Sequence, residues 1–310
     1  MNKIKVFIDG QAGTTGLQLK SKLVNHPGVT LLEIDEDKRK DASERQRLMN
    51  ESNVVFLCLP DAAAIEAVKL VTNPETVIID ASTAHRTADG WIYGFPELSE
   101  KHLNDIKNAK RIANPGCHAT GFISIVYPLV SSEIMPSDYP VTSHSITGYS
   151  GGGNKMIADY ENPDRDYELS SPMQYGLSQT HKHLPEMKKI TGLDTDPVFN
   201  PIVSDYYCGM AVSVPIYTNL LNKKMSADEL YEFFSDYYKN SEFISVHKAP
   251  ESGFLSPIGL EGTNKMKIHI CGNSDRVTIT SVFDNLGKGA SSAAIENMNI
   301  AMGFDITTAL

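Results

Sequence analysis

Cysteine is scarce in this 310-residue chain, and no two of its four cysteines form a Cys-x-x-Cys pair. Cys58, Cys117, Cys208 and Cys271 lie far apart, which argues against a disulfide framework and against a cysteine zinc site. No apolar run approaches the ~20 residues that span a bilayer, so no membrane partner is expected. The opening Met-Asn-Lys-Ile-Lys-Val-Phe-Ile-Asp-Gly goes directly into a strand-like pattern, without the apolar segment and small-residue cleavage site of a signal peptide. A cytoplasmic location is expected. A sustained basic run is missing too. With a formal net charge of -10, the chain is not expected to bind nucleic acid, whose phosphates need a basic face. No internal repeat or low-complexity linker stands out.

What is present is ample core material, 41% hydrophobic residues, in a length that suits two domains of ~150 residues each. Residues 3–9 form a β-rich apolar run. It ends at Gly-Gln-Ala-Gly-Thr-Thr-Gly, residues 10–16, and residues 17–24 follow with helical apolar spacing. Strand, glycine turn and helix make a Gly-x-x-Gly-x-x-Gly variant of the dinucleotide fingerprint. Its glycines allow a tight turn and close backbone approach, and the helix N-terminus faces the pyrophosphate. Gly10, Gly13, Thr14, Thr15 and Gly16 are the cofactor candidates. The next strand, residues 29–34, runs into Asp-Glu-Asp-Lys-Arg-Lys-Asp at 35–41. An acid there selects NAD, and a base accepts the 2′-phosphate of NADP. Lys38 and Arg39, with Lys40, favour NADP(H); the alternative is a solvated charged loop. Further strands at 54–60, 77–81 and 111–114, with a helix at 62–70 and another before Val54, imply a parallel sheet covered on both faces.

The strand at 111–114 ends in Asn-Pro-Gly-Cys-His-Ala-Thr-Gly, residues 114–121, and an apolar helical run follows. Cys117 is therefore expected at a helix N-terminus, where the dipole and free N–H groups favour a thiolate. It is either a nucleophile or a small buried thiol, as Cys58 and Cys271 are expected to be. Beside a nicotinamide, a nucleophilic cysteine would interconvert an acyl phosphate and an aldehyde through a thioester. Its base is sought in His-Lys-His-Leu-Pro-Glu, residues 181–186. His181 and His183 alternate as in an extended segment and would share a face, with a helix from Pro185. No third ligand at suitable spacing supports a metal there. His118 is set aside as the base, since adjacent helical residues do not face each other. A strand at 141–146 enters Gly-Tyr-Ser-Gly-Gly-Gly, residues 148–153, a loop suited to close ligand approach. Lys155 behind it could meet an anionic substrate or be a solvated charge.

These blocks, with Ile-Asp-Ala-Ser-Thr-Ala-His-Arg at 79–86, Tyr-Gly-Phe-Pro-Glu-Leu at 93–98 and Asp-Asn-Leu-Gly-Lys-Gly-Ala-Ser at 284–291, together resemble the N-acetyl-gamma-glutamyl-phosphate reductases in their short form, relatives of the aspartate-semialdehyde dehydrogenases. The resemblance covers essentially the whole chain. It implies an α/β fold with a Rossmann-type dinucleotide-binding domain, residues 1–116 and 287–310. An α+β substrate and dimerisation domain with a mixed sheet would fill residues 117–286. It also implies NADPH-dependent reduction of N-acetyl-L-glutamyl 5-phosphate in arginine biosynthesis, by a homo-oligomer, dimer or tetramer. Cys117 would be the nucleophile and His183, with His181 second, the catalytic histidine. The resemblance adds Ser82, Gly287 and Lys288 to the cofactor candidates, and Arg86, Ser150 and Gly151 to the substrate or phosphate candidates beside Lys155. The family more often has Tyr where this chain has His118, which leaves the nucleophile untouched. The rivals are an aspartate-semialdehyde or N-acetyl-aminoadipate-semialdehyde enzyme, a cofactor-free cysteine hydrolase or acyl transferase, and a non-catalytic NADP sensor.

Overall fold

A computed structural model describes residues 3–310; residues 1 and 2, which open the expected cofactor domain, lie outside the described residues. Two compact units divide the chain. One holds the residues up to Pro115 together with Ala290–Leu310, the other Gly116–Gly289. Gly116 and residues 287–289, expected with the cofactor domain, are thus in the second unit. Local packing explains the shift. A side-chain carbon on Gly287 would collide with the Thr263 carbonyl, and one on Gly289 would come within 2.9 Å of Cys117 Cβ.

The first unit runs β1 (Ile4–Asp9), α1 (Thr14–Leu23), β2 (Val29–Leu32), α2 (Ala42–Glu51), β3 (Val54–Leu57), α3 (Asp61–Leu70), β4 (Val77–Asp80), β5 (Ile92–Tyr93), α4 (Glu100–Asn108) and β6 (Arg111–Ala113). All six strands are parallel, in the order β2-β1-β3-β4-β6-β5. Strand order reverses at β1, with β2 on one side and β3 on the other, the switch point at which open α/β sheets bind ligands. Alternation along the strands feeds two cores. Val6, Ile8 and Phe56 pack with Leu19 and Leu23 of α1 on one face. Phe7, Val55 and Leu57 pack with Leu48 and Met49 of α2 and Ala64 and Ala67 of α3 on the other. Each such large side chain contributes about 1.5–3 kcal/mol. A parallel sheet buried on both faces explains why its strands read as continuous apolar runs.

The second unit runs α5 (Cys117–Ser131), β7 (Thr142–Gly148), α6 (Gly153–Glu161), β8 (Met173–Gln174), α7 (Leu184–Thr191), β9 (Val198–Ser204), β10 (Met210–Tyr217), α8 (Ala227–Tyr237), β11 (Ile244–Lys248), β12 (Met266–Gly272) and β13 (Arg276–Phe283). Its seven-stranded sheet is mixed, in the order β11-β12-β13-β10-β7-β9-β8, with β11–β12 and β7–β9 parallel and the other neighbours antiparallel. Gly121 brings α5 close to this sheet, because a side chain there would meet Val212 and Phe283. Ser124 Oγ bonds Ser281 Oγ at 2.7 Å, and Tyr238 Oη donates to the Ser124 carbonyl at 2.8 Å. A capping box at Ser226 opens α8, with Glu229 reciprocating. Sequence reading missed β9, whose central Pro201 argues against a strand. A π-helical turn, Gly287–Ser291, leads into α9 (Ser292–Met302), whose Ile295 and Met298 join the Val6 core of the first unit.

Candidate active site

The glycine turn between β1 and α1 is closely packed. Gly10 has φ +88° and its missing side chain would collide with the Cys58 carbonyl at the end of β3; one on Gly16 would collide with the Gly10 carbonyl. Gly13 is the N-cap of α1 and supplies no capping side chain, so the N-terminus of α1 opens directly onto the glycine turn. The turn is closed by Gly13 N–H to the Gly10 carbonyl at 3.1 Å. Gly10→Ala is expected to destabilise the first unit by at least ~2 kcal/mol, from a left-handed residue plus overlap, and to weaken dinucleotide binding. Thermal melting and equilibrium dialysis check this; an unchanged melting temperature would contradict it.

After β2, Lys38 and Arg39 are both exposed and each pairs with an acid three residues earlier, Lys38 with Asp35 at 3.1 Å and Arg39 with Glu36 at 3.2 Å. After β4, Asp80 is wholly buried and organises the loop. It accepts from Ser82 N–H at 2.9 Å, from Ser82 Oγ at 2.7 Å and bonds His85 Nδ1 at 2.6 Å, while the His85 ring stacks on Trp91 with centroids 4.0 Å apart. Ser82 Oγ also accepts Ala84 N–H, so this hydroxyl, expected at the cofactor, braces its own loop. Arg86, expected at the substrate, is buried. Its Nε donates to the Asn114 carbonyl at 3.0 Å and one Nη to the Ala81 carbonyl at 3.1 Å. It ties together the ends of β4 and β6. Asn114 is fixed further by its side-chain donation to the Ala290 carbonyl and by Asn297, at 2.9 and 3.2 Å.

In the second unit, Cys117 is the first residue of the 15-residue α5, with Gly116 as N-cap. The other thiols are held protonated: burial pushes Cys58 up to about 12, burial and then Asp284 push Cys208 up to about 12, and burial raises Cys271. The segment 181–183 is a turn rather than extended, because Leu184 N–H bonds back to the His181 carbonyl at 3.0 Å. The two imidazoles still meet, with centroids 4.7 Å apart. His181 Nδ1 accepts His183 N–H at 3.2 Å, which leaves the proton of the neutral ring on Nε2. His183 is the buried N-cap of α7. In the first turn of α7, the buried Glu186 accepts Gly116 N–H at 3.2 Å. This carboxylate joins the His-x-His-x-Pro-Glu block to the cysteine block.

His118 occupies the same cluster. Its centroid lies 5.6 Å from those of both His181 and His183, and its nitrogens bond Ser145 Oγ and Tyr175 Oη at 2.6 Å each. Burial, then His181 and Lys182, lower its pKa to about 3, so it is neutral and fully engaged. It positions Tyr175, whose phenol is raised by burial and then by the nearby Cys117 side chain. Tyr175, Ser145 and Glu186 were not foreseen as site residues. The signal available for Glu186 was its place in the first turn behind Pro185. The depressed His118 value sets a pH dependence: below pH ~6.5 the unfolded chain takes up the proton first, so stability falls as pH drops from about 6.5 towards about 3. Between pH 7 and 5, His118→Gln is expected to lose about 2 kcal/mol less than the parent. Urea unfolding at both pH values checks it; equal losses would contradict it.

In the loop after β7, Ser150 is buried and its hydroxyl accepts from Asn285 Nδ2 at 3.1 Å, a bond that braces the loop. Gly151 is exposed, and so is Lys155, on α6, which makes no ion pair among the described residues. Lys288, expected at the cofactor, is buried in the second unit with its ammonium 5.4 Å from the centre of the Phe243 ring. Among the described residues no group of three or more His, Cys, Asp or Glu side chains is set to hold a metal, and no helix is long and apolar enough to cross a membrane.

Residues 5–106 match the family model for a semialdehyde dehydrogenase NAD binding domain, and residues 117–285 that for a semialdehyde dehydrogenase dimerisation domain. The aspartate semialdehyde dehydrogenase II of Vibrio cholerae, solved with ASA, superposes with a TM-score of 0.73 at 14% identity, covering 98% of this chain and 99% of its own. The Francisella tularensis aspartate semialdehyde dehydrogenase gives 0.74 at 17% identity over 96% and 100%. Both show the fold. Much nearer in sequence are N-acetyl-gamma-glutamyl-phosphate reductase 2 of Nostoc sp., 42% identical over 98% of each chain, and the reductase of that name from Chelativorans sp., 42% identical over 96% of this chain and 98% of its own. Identity of that level along both units, over a glycine turn and a cysteine-histidine cluster of this construction, makes this chain a member of the N-acetyl-gamma-glutamyl-phosphate reductase family.

Proposed function

We propose that the chain reduces N-acetyl-L-glutamyl 5-phosphate to N-acetyl-L-glutamate 5-semialdehyde and phosphate, with NADPH, as a step of arginine biosynthesis. The observation that carries this is Cys117 at the head of α5, with His183 and His181 brought to the same cluster through Glu186 and His118. His183 takes the thiol proton as Cys117 Sγ attacks the acyl carbon. The C–S bond forms, the C–O bond to phosphate breaks, and phosphate leaves with the bonding pair. Gly10, Gly13, Thr14, Thr15 and Gly16 hold the diphosphate of the nicotinamide cofactor, which when bound supplies the hydride. His183 then returns a proton as the C–S bond breaks and the aldehyde departs. His181, with its Nε2 proton, donates to the developing oxyanion. Gly151 and Lys155 are assigned to the anionic substrate, and Arg86 and Ser82 to shaping the loop after β4. A cytoplasmic homo-oligomer, dimer or tetramer, completes this reading.

The reverse reaction tests it. Purified protein is given N-acetyl-glutamate semialdehyde, phosphate and NADP, and reduced cofactor is followed by absorbance, with aspartate semialdehyde and NAD in parallel. Phosphate-dependent turnover that favours the acetylated substrate is expected. Turnover with aspartate semialdehyde instead would keep the chemistry and replace the substrate; silence with every aldehyde would overturn the proposal.

A further inference from the structure

The sequence draws attention to Lys38 and Arg39 as readers of the cofactor's 2′-phosphate, but the structure offers a better placed cation. Along β1 the side chain of Asp9 follows that of Phe7 onto the face covered by α2. Asp9 pairs in register with Leu57 of β3. The register of Phe7 with Leu32, continued two residues, sets Asp9 level with Ile34, just before the charged loop. Asp9 thus stands at the carboxyl edge of β1, beside both flanking strands and directly before the glycine turn. It is nearly buried, and an unpaired carboxylate there would be costly and would repel a diphosphate. Arg45, on α2, satisfies it: Nε lies 3.3 and 3.2 Å from the two carboxylate oxygens and Nη2 2.6 Å from one of them.

The pair leaves half of the guanidinium unused. Arg45 is 19% exposed, and its Nη1 makes no hydrogen bond among the described residues. A planar guanidinium locked along one edge by a carboxylate presents its other edge in fixed orientation, the geometry that grips a phosphate. Lys38, by contrast, is engaged by Asp35 and flanked by Glu44 and Asp37, and Arg39 by Glu36. Both cations are exposed and each is held by an acid of its own loop rather than locked along one edge.

We infer that Arg45, oriented by Asp9, is the residue that binds the 2′-phosphate of the adenosine ribose and so sets the preference for NADPH over NADH. This rests on the NADPH reading above. Binding of NADPH and of NADH, each followed by the fluorescence of the bound reduced nicotinamide, tests it on the intact protein without turnover. Arg45→Gln is expected to raise the Kd for NADPH about 10- to 100-fold and to leave that for NADH within about 3-fold. The double variant Asp9→Asn with Arg45→Gln, which leaves no buried unpaired charge, should show the same selectivity change if the single variant unfolds. Lys38→Ala and Arg39→Ala should keep the parent's preference. Equal weakening of both nucleotides would mean that Arg45 only neutralises Asp9, and would overturn the assignment, as would loss of preference in the Lys38 or Arg39 variants instead. A parent protein that binds NADH as tightly as NADPH would sink the NADPH reading itself, before any variant is compared.

Discussion

Replacing Cys117 by serine is expected to lower turnover by about 10³- to 10⁴-fold or more while the Kd for the nicotinamide cofactor changes by less than about 2-fold. A hydroxyl in the same place keeps the shape of the α5 start but ionises far less readily than a thiol, and the helix N-terminus favours the anion of a thiol most. Cys58, Cys208 and Cys271 cannot substitute, because burial holds each as a thiol. Steady-state rates beside a cofactor titration separate the two effects. A serine variant that keeps even a tenth of the activity would remove the covalent step from the account.

The second large effect is expected at His183. His183→Gln should cut kcat by about 10²- to 10⁴-fold with little change in KM, the loss of one general acid–base. His183 is buried at the N-cap of α7, and Glu186 in the same helix turn bonds Gly116, so the helix that carries the proposed base is tied to the helix that carries the proposed nucleophile. His181→Gln should cost less, about 10-fold, because its Nδ1 is already spent on His183 N–H and its share is a donated proton. Comparing kcat for the two variants under saturating substrate decides the order. A larger loss at His181 would exchange their roles.

Much of this could be read from the chain before any coordinates. The glycine turn is a local device: its spacing, the apolar strand before it and the helical run after it are determined within ~20 residues of one another. The placement of Cys117 at the head of a buried helix is equally local. What escaped was set by contacts far apart in sequence. The bond from Gly116 to Glu186 spans 70 residues and that from His118 to Tyr175 spans 57, and no periodicity encodes either. His118 was set aside as the base, and adjacency alone could not tell that it would pack against both His181 and His183 and bond Tyr175. The motifs after β4 and β7 located loops near the ligand edge but not the direction of their side chains. Ser82 bonds within its own loop, as short polar side chains readily do, whereas Arg86 reaches the Asn114 carbonyl and Ser150 meets Asn285, partners distant in sequence. The burial of Lys288 was equally hidden: the π-helical turn before α9 packs Gly287 and Gly289 closely against the second unit, and the lysine between them is buried. The pairing of Arg45 with Asp9 needed the strand register and was invisible to charge patterning, which pointed to the nearer cluster at 38–40.

The covalent intermediate is the centre of the account and can be observed directly. The protein would be mixed with N-acetyl-glutamyl phosphate in the absence of reduced cofactor, quenched in acid, and weighed whole and as peptides by mass spectrometry. The expected result is one N-acetyl-glutamyl group on the peptide that contains Cys117, formed together with one equivalent of phosphate and lost in Cys117→Ser. Phosphate release with no adduct on that peptide, or an adduct that survives the serine substitution, would contradict it.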